Sequence, residues 1–233
     1  MLTLNHSVEF SFASDRSILI KVCDDISPEC NNEIIKIFSV LQSTSIEGIQ
    51  SIHPAYNSIL VAFDPTIIFP FKMMEDLKKL VQEKPLNIEY ETNTINIPVC
   101  FDEEFAPDLN EVAQLNKLTI NEVIAFHTRP NYLVYFLGFS PGFPYLGGML
   151  TEISTPRLKT PRLKVPEGSV AIGGKQTGIY PVESPGGWRL IGRTPLKLFS
   201  PHKKPPTLLR MGDRVNFFAI SKNEFEQIKS KQE

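Results

Sequence analysis

The spacing of apolar residues divides the N-terminal part of the chain into short strands and helices. Residues 7–12 and 17–23 are predicted to be two short strands with a turn at Asp15-Arg16 between them. Ser27 followed by Pro28 is typical of a helix start. Apolar residues then recur at intervals of three and four, which predicts an amphipathic helix over about 28–43.

The same part of the chain continues with a hairpin, a second helix and one more strand. Residues 48–53 and 58–63 are predicted to form the hairpin, the apolar residues of 71–81 mark the helix, and 86–90 is predicted to be the strand. The order β-β-α-β-β-α-β predicts a small α+β domain over residues 1–93, with two helices on one face of an antiparallel sheet. This segment has no catalytic cluster, so we interpret it as a scaffold or docking domain.

After a polar break, the pattern predicts a second domain that begins with a strand and two short helices. The strand covers residues 95–99, and the helices lie around 108–116 and 120–128. Thr119 and Glu122 form a capping box at the start of the second helix, in which each side chain satisfies a free backbone N–H of the other residue.

The rest of the chain has a mainly-β pattern. A strand over 132–137 leads into short apolar runs separated by Gly, Pro and Asp, which is typical of an all-β sandwich or barrel. Residues 94–233 are therefore predicted to form a mainly-β domain. The polar tail, 221–233, is either a terminal helix or frayed. The remaining predicted strands are 168–172, 178–182, 188–191, 196–199 and 214–220.

Composition and charge narrow the class of protein. The 233 residues carry a net charge of −2, which excludes a bulk attraction to nucleic acid or to an anionic membrane. No apolar run reaches the roughly 18 residues of a spanning helix, and the N-terminus lacks the pattern of a signal peptide. Cys23, Cys30 and Cys100 are odd in number and widely spaced, which favours reduced thiols over a disulfide framework or a zinc site. We therefore expect a cytoplasmic protein without bound metal.

Two motifs that suggest catalysis fail on physical grounds. Gly138-Phe-Ser-Pro-Gly142 matches the nucleophile elbow of serine hydrolases, but that elbow uses the backbone N–H that follows the serine, and Pro141 has none. The run Gly173-Gly-Lys-Gln-Thr177 is similar to a phosphate-binding loop, but Gln176 separates the lysine from the threonine. The sequence therefore predicts neither a serine nucleophile nor a nucleotide site in this chain.

A basic segment contains two adjacent copies of Thr-Pro-Arg-Leu-Lys, at 155–159 and 160–164. Each proline holds the residue before it in an extended conformation, which predicts a nearly straight strand of polyproline type. Arg157 and Arg162 are suited to binding a carboxylate or phosphate through paired hydrogen bonds. The alternative is a solvated basic loop.

Residues 168–195 combine many glycines with polar side chains that are mostly donors. Such a set predicts a pocket for an anion or a carboxamide. His127 and Glu183 are the local candidates for a base; His127 is either catalytic or a structural residue of the core. Trp188 either anchors the packing or stacks on a ligand. The candidate substrate-binding residues are Arg157, Arg162, Gln176, Thr177, Tyr180 and Arg193, with Ser184 beside them.

Several segments together resemble one family. They are Tyr135–Gly148, the two Thr-Pro-Arg units, Gly168-Ser-Val-Ala-Ile and the run from Gln176 to Pro195. On these residues the chain is identified as a member of the family of the 5-oxoprolinase B subunits, also called allophanate hydrolase subunit 1 or KipI-type histidine-kinase inhibitor. One departure is Lys175, in a loop where many members read Ala-Gly-Gly-Gln-Thr. It adds a cation and leaves Gln-Thr-Gly intact.

The resemblance implies both a fold and a function. It implies a cyclophilin-like β-barrel after a small α+β domain. It also implies that the chain joins subunits A and C in a bacterial 5-oxoprolinase, which converts 5-oxo-L-proline to L-glutamate with ATP. Because this chain has no nucleotide motif, ATP would be used by the complex. The resemblance leaves open an alternative, inhibition of a sensor histidine kinase in sporulation control. In other relatives the module belongs to a biotin-dependent urea carboxylase.

Overall fold

In the computed structural model, which describes residues 8–83 and 92–232, the chain forms two compact units, Met1–Glu91 and Thr92–Glu233. The strand predicted at 86–90 lies outside the described residues. The elements of the first unit are β1 (Glu9–Ser14), β2 (Ser17–Lys21), α1 (Pro28–Ser43), β3 (Ile49–Pro54), β4 (Ser58–Phe63) and α2 (Pro70–Glu83). Its four strands form one antiparallel sheet in the order β1-β2-β4-β3.

Local sequence signals account for the elements of the first unit. The Ser27 side chain accepts a hydrogen bond of 3.1 Å from the Cys30 N–H at the start of α1, as a helix N-cap does. Ile34 and Ile37 point from that helix into the core and are fully buried. In the sheet, alternate residues of β2 and β4 are buried, which is the period of a strand with one covered face.

The structure corrects the expectation that the cysteines are reduced. Cys23 and Cys30 form a disulfide. The connection from β2 turns back into the first turn of α1, and this brings the two Cα atoms to 6.0 Å, within the usual range for a disulfide. Cys100 is free and buried. A separation of seven residues was therefore short enough for pairing, because the loop reverses direction between the two cysteines.

The second unit contains a closed barrel of seven strands. Its order is β10-β7-β6-β13-β5-β12-β9, and a separate two-stranded ribbon is formed by β11 and β8. The elements are β5 (Thr94–Cys100), α3 (Leu109–Asn116), α4 (Ile120–Thr128), β6 (Asn131–Leu137), β7 (Pro144–Gly147), β8 (Arg162–Val165), β9 (Ser169–Gly173), β10 (Gln176–Ile179), β11 (Ser184–Gly186), β12 (Arg189–Arg193), β13 (Arg214–Ile220) and α5 (Lys222–Ser230).

The barrel closes through pairs of strands that are far apart in sequence. β5 and β13 pair in parallel, from Thr94 opposite Arg214 to Cys100 opposite Ile220. β12 then meets β5 where Arg193 lies opposite Cys100. The alternative of an open sandwich is excluded by this closure, and the barrel agrees with the cyclophilin-like barrel that the family resemblance implies.

Two capping boxes fix the helices of this unit. Thr119 and Glu122 cap α4 as the sequence predicts, with a hydrogen bond of 2.7 Å from the Thr119 N–H to the Glu122 carboxylate. Ser221 and Glu224 do the same for α5, so the polar tail is a helix.

Two predicted β-strands and the basic segment, predicted to be of polyproline type, differ from the structure. Residues 196–199 form no strand; Phe199 makes a single bridge to Thr207 and Leu198 is buried. The strand predicted at 178–182 lies earlier, at Gln176–Ile179, and Pro181, which has no N–H, follows its end. The basic segment is not straight. It bends at residues 159–160, and only Arg162–Val165 is a strand, because it pairs with β11.

Candidate functional site

One pocket of the barrel unit combines aromatic walls with a single charged side chain. We call it the aromatic pocket; its volume is about 180 Å³. The turn between β6 and β7, strand β7, the basic segment and the residues around β11 each contribute to it. Its lining residues are Phe139, Phe143, Tyr145, Arg157, Leu158, Pro161, Tyr180, Gly186, Gly187 and Trp188.

The floor of the aromatic pocket is formed by buried rings. Phe143, Tyr180 and Trp188 are almost fully buried. Phe143 makes edge-to-face contacts with both others, at centroid distances of 5.2 Å to Tyr180 and 5.6 Å to Trp188. Such contacts favour one fixed arrangement of rings. Tyr145 completes the floor at 5.0 Å from Phe143. Trp188 is therefore a packing anchor whose ring also lines the pocket. That it stacks on a ligand stays a prediction.

Glycines allow the rings to lie this close to the backbone. A Cβ atom at Gly173 would lie 2.5 Å from the Trp188 ring, and one at Gly186 would lie 2.3 Å from the Tyr180 hydroxyl. Neither contact is possible without movement of the ring. The density of glycine in this part of the sequence thus serves the packing of the pocket floor.

Replacing Gly173 by alanine is expected to displace Trp188 and destabilise the unit by about 1–3 kcal/mol, as overpacking does in a core. Urea denaturation followed by Trp188 fluorescence measures this, and the emission of the folded protein should also shift. Gly187→Ala is the matched control, because a Cβ there would meet Pro161 at an ordinary 3.6 Å. Equal stability of the two variants would contradict the prediction.

Among the described lining residues, the only charged side chain of the aromatic pocket lies at its rim. Arg157 is exposed, and its guanidinium lies 5.6 Å from the centroid of the Trp188 ring. The ring face thereby orients the cation while leaving its N–H groups accessible. Burial raises the pKa of Tyr145 and of Tyr180, and Arg157 offsets part of that rise. Both tyrosine hydroxyls therefore stay protonated at neutral pH and can donate hydrogen bonds.

His127 and Thr177, both candidates from the sequence, lie together inside the barrel unit and away from the aromatic pocket. His127 is fully buried, and its Nε2 lies 3.0 Å from the Thr177 hydroxyl. That hydroxyl donates to the Ala171 carbonyl at 2.9 Å, so Nε2 must carry the proton and donate to Thr177. Burial lowers the pKa of His127 to about 3. The ring is a neutral part of the core at physiological pH.

Arg162 is held by a buried carboxylate. Its Nη2 donates to Asp108 Oδ1 at 2.6 Å, and the other oxygen of Asp108 accepts the Leu190 N–H at 2.7 Å. Arg189 donates to the Pro156 carbonyl at 3.2 Å and pairs with Glu111. These contacts hold the basic segment against α3 and β12. Arg162 thus supports the segment that carries Arg157.

The other two candidates lie elsewhere. Arg193 donates to the Glu167 carbonyl at 2.7 Å and lines a small recess beside α5. Gln176 is half-buried at the start of β10, in the hairpin that contains Lys175. Of the six predicted binding residues, the structure brings Arg157 and Tyr180 together in the aromatic pocket. Ligand contact by all six, and a catalytic role for His127, stay predictions.

Sequence reasoning missed two of the four rings of the pocket floor, Phe143 and Tyr145. Phe139, Phe143, Tyr145 and Asp108 were not among the candidates, although the first three belong to the Gly- and Pro-rich run that carries the family resemblance. Aromatic residues spaced among glycines and prolines were the available signal. No signal in the sequence pointed to Asp108, because the partners of its carboxylate lie 54 and 82 residues away.

The remaining sequence motifs have structural explanations. A nucleophile elbow needs a helix after the serine, but the chain passes from Ser140 into β7. Within residues 8–83 and 92–232, no group of three or more His, Cys, Asp or Glu side chains is arranged to hold a metal ion. In the same part of the chain, no helix has the length and apolar character needed to cross a membrane.

Comparison with known proteins gives consistent matches. The family model described as carboxyltransferase domain, subdomain C and D, matches residues 8–209. The chain is 40% identical to the 5-oxoprolinase B subunit of Bacillus subtilis (strain 168) over 98% of both chains, and 44% identical to that of Escherichia coli O157:H7 over 70% of this chain and 75% of the other. It is also similar to the crystal structure of TTHA0988, with a TM-score of 0.78 and 35% identity. That match covers 88% of this chain and 40% of TTHA0988.

Proposed function

This chain belongs to the family of carboxyltransferase domains, subdomains C and D, that includes the 5-oxoprolinase B subunits, and we propose that it is a subunit of an enzyme that opens the ring of 5-oxo-L-proline to give L-glutamate. Its contribution is the aromatic pocket, which binds and orients the substrate. Subunits A and C are the proposed partners. The complex, rather than this chain, uses ATP.

The pocket's combination of one cation with aromatic walls is the observation that carries this proposal. 5-Oxoproline is a small, flat, five-membered lactam with one carboxylate. Arg157 at the rim is the charged partner for that carboxylate, and the buried rings of Phe143 and Trp188 are apolar surfaces for the lactam. The Tyr180 hydroxyl, which is protonated at neutral pH and whose pKa burial raises further, is a donor for the lactam carbonyl.

The described residues that line the pocket do not include the acid–base groups most often used for lactam hydrolysis. Ring opening breaks the C–N bond, adds water to the carbonyl carbon and delivers a proton to the leaving nitrogen. No carboxylate, imidazole or thiol is among the described residues that line the pocket. A positioned acid or base is the usual means of such proton transfers. This favours a shared site, in which a partner subunit supplies the reacting groups and this chain holds the substrate.

The test is a reconstituted assay with the neighbouring subunits A and C, measuring ATP-dependent release of glutamate. Omission of this chain should abolish turnover. Arg157→Ala should raise KM for 5-oxoproline by about 10–100-fold with a smaller change in kcat, as expected when a charge-assisted hydrogen bond to substrate is lost.

Arg129→Ala is the matched control for this test. Arg129 also lies over an aromatic ring, 5.2 Å from the centroid of Phe126, but it does not line the aromatic pocket. Its replacement should leave KM unchanged. Turnover without this chain would refute the subunit assignment, and an unchanged KM for Arg157→Ala would refute the binding site.

A further inference from the structure

The turn that links β6 to β7 holds a phenylalanine in an unusual conformation. Phe139 has φ 66°, in the left-handed region that side chains with a Cβ atom rarely adopt. Hydrogen bonds around it fix the turn: the Gly138 N–H donates to the Phe143 carbonyl at 3.1 Å, and the Phe143 N–H donates to the Ser140 carbonyl at 3.0 Å. In this position glycine or asparagine would be the residue expected from local preference.

Burial does not explain why position 139 is a phenylalanine. It is 63% exposed, although phenylalanine is usually buried. Its ring packs at a steep angle against two rings of the pocket floor, with centroids 5.5 Å from Phe143 and 6.3 Å from Tyr180. The other described non-glycine residue with positive φ, Lys117, lies at the C-cap of α3, where that conformation is common. A helix cap therefore does not account for Phe139.

An exposed ring on a strained backbone at a pocket rim is typical of a residue retained for ligand contact. Phe139 and Arg157 are both exposed lining residues of the aromatic pocket. Arg157 offers charge but cannot distinguish one carboxylate from another by shape. The phenyl ring offers a flat apolar face, which contacts a ring-shaped ligand over more area than a flexible open chain.

We propose that Phe139 is the specificity-determining residue of the aromatic pocket, and that it favours ring-shaped carboxylates over open-chain ones by packing on the ligand ring. This rests on the proposed function of the pocket as the 5-oxoproline site. Phe139 contacts the ligand and takes no part in proton transfer.

The experiment titrates the full-length chain and follows the fluorescence of Trp188, its only tryptophan, which lines the pocket. The probes are 5-oxo-L-proline and N-acetylglycine, an open-chain compound with the same carboxylate and amide groups. Phe139→Asn removes the ring and keeps a residue that tolerates positive φ. It should weaken 5-oxoproline binding by about 5–10-fold and N-acetylglycine binding by less than about twofold. Phe139→Tyr should bind both probes like the wild type.

Two further variants separate the possible failures. Phe218→Asn removes a half-exposed phenylalanine of β13 that does not line the pocket and should change neither affinity. Arg157→Ala should weaken both probes. Suppose that the wild type binds the probes and that Arg157→Ala weakens this binding but Phe139→Asn does not. This result would overturn the role of Phe139 and leave the proposed function standing. No binding by the wild type would overturn both.

Stability gives a second, independent criterion. Since asparagine relieves the backbone strain and the ring is mostly exposed, Phe139→Asn should melt at or above the wild-type Tm. A Tm lowered by several degrees together with weaker binding of both probes would show that the ring holds the turn in place, and would also overturn the proposal.

Discussion

Replacing Asp108 by alanine is expected to lower the free energy of unfolding of the barrel unit by about 3–5 kcal/mol, the usual cost of removing one partner from a buried ion pair. The Asp108 carboxylate is buried and accepts two hydrogen bonds, from Arg162 and from the Leu190 N–H. Its loss leaves a guanidinium and a backbone N–H without their acceptor. For a unit of this size the loss corresponds to a Tm lower by about 10 °C. Thermal unfolding followed by Trp188 fluorescence measures it.

A neighbouring ion pair provides the matched control for this prediction. Lys164, on the same strand as Arg162, pairs with Glu183 at 3.1 Å, and both side chains are exposed. Lys164→Met should leave the Tm within about 2 °C, because exposed pairs contribute little. The double variant Asp108→Ala, Arg162→Met should lose less stability than the two single variants lose when their losses are added, since it leaves no charge unpaired. A Tm for Asp108→Ala close to that of Lys164→Met would contradict the prediction.

The second large effect is a loss of stability in acid caused by His127. Burial lowers the pKa of His127 to about 3 in the folded chain, against an ordinary value near 6.5. Below pH 6.5 the unfolded chain binds a proton that the folded chain does not, so stability falls as the pH falls, by about 1.4 kcal/mol per pH unit. Between pH 6.5 and 4.5 the contribution of this one residue is about 2–3 kcal/mol, and by pH 3 it reaches about 4 kcal/mol.

The variant His127→Gln tests this, because glutamine does not titrate and its amide can still donate to Thr177. Urea denaturation at a series of pH values should give a stability curve that falls less steeply than that of the wild type below pH 6.5. Above pH 7.5 the two curves should run parallel, which serves as the internal control. Curves that stay parallel down to pH 4.5 would mean that the folded protein binds a proton at His127, contrary to its complete burial.

Elements set by neighbouring residues could be predicted from the sequence. Ser27 and Pro28 start α1, and Thr119 with Glu122 caps α4, because each signal acts within one helical turn. Gly212, with φ 87°, lies in the turn that leads into β13, a position that suits glycine. In each case the residues that decide the conformation are adjacent in the chain.

Features set by distant partners could not be predicted. The basic segment bends because Arg162 joins a strand pair with β11 and an ion pair with Asp108, neither of which the repeat of Thr-Pro-Arg encodes. Likewise the disulfide of Cys23 depends on how the loop after β2 reverses. Propensity gives the local conformation, and tertiary contacts override it where a partner is available.

The candidate site also combines features set by neighbouring residues with features set by distant partners. Arg157 and Tyr180, which glycines and aromatic residues surround in the sequence, both line the aromatic pocket. That they bind a ligand there stays a prediction. Thr177 is only three residues from Tyr180, yet it faces His127 in the interior. Successive residues of a strand point to opposite faces, so closeness in sequence does not place two side chains in one site. Only the pairing of the strands decides which face lines the pocket.

The parallel pairing of β5 with β13 has a consequence for how the protein is made. β5 emerges from the ribosome first, and its partner β13 follows 120 residues later. The hydrogen bond from the Asn93 N–H to Asp213 spans the same 120 residues. At about 5–20 residues per second, β5 waits for roughly 6–24 seconds for that partner. The first unit can be complete by then, while the barrel cannot close. Nascent chains therefore expose the apolar edge of an open barrel, which is the stage at which a chaperone or a partner subunit would have access to it.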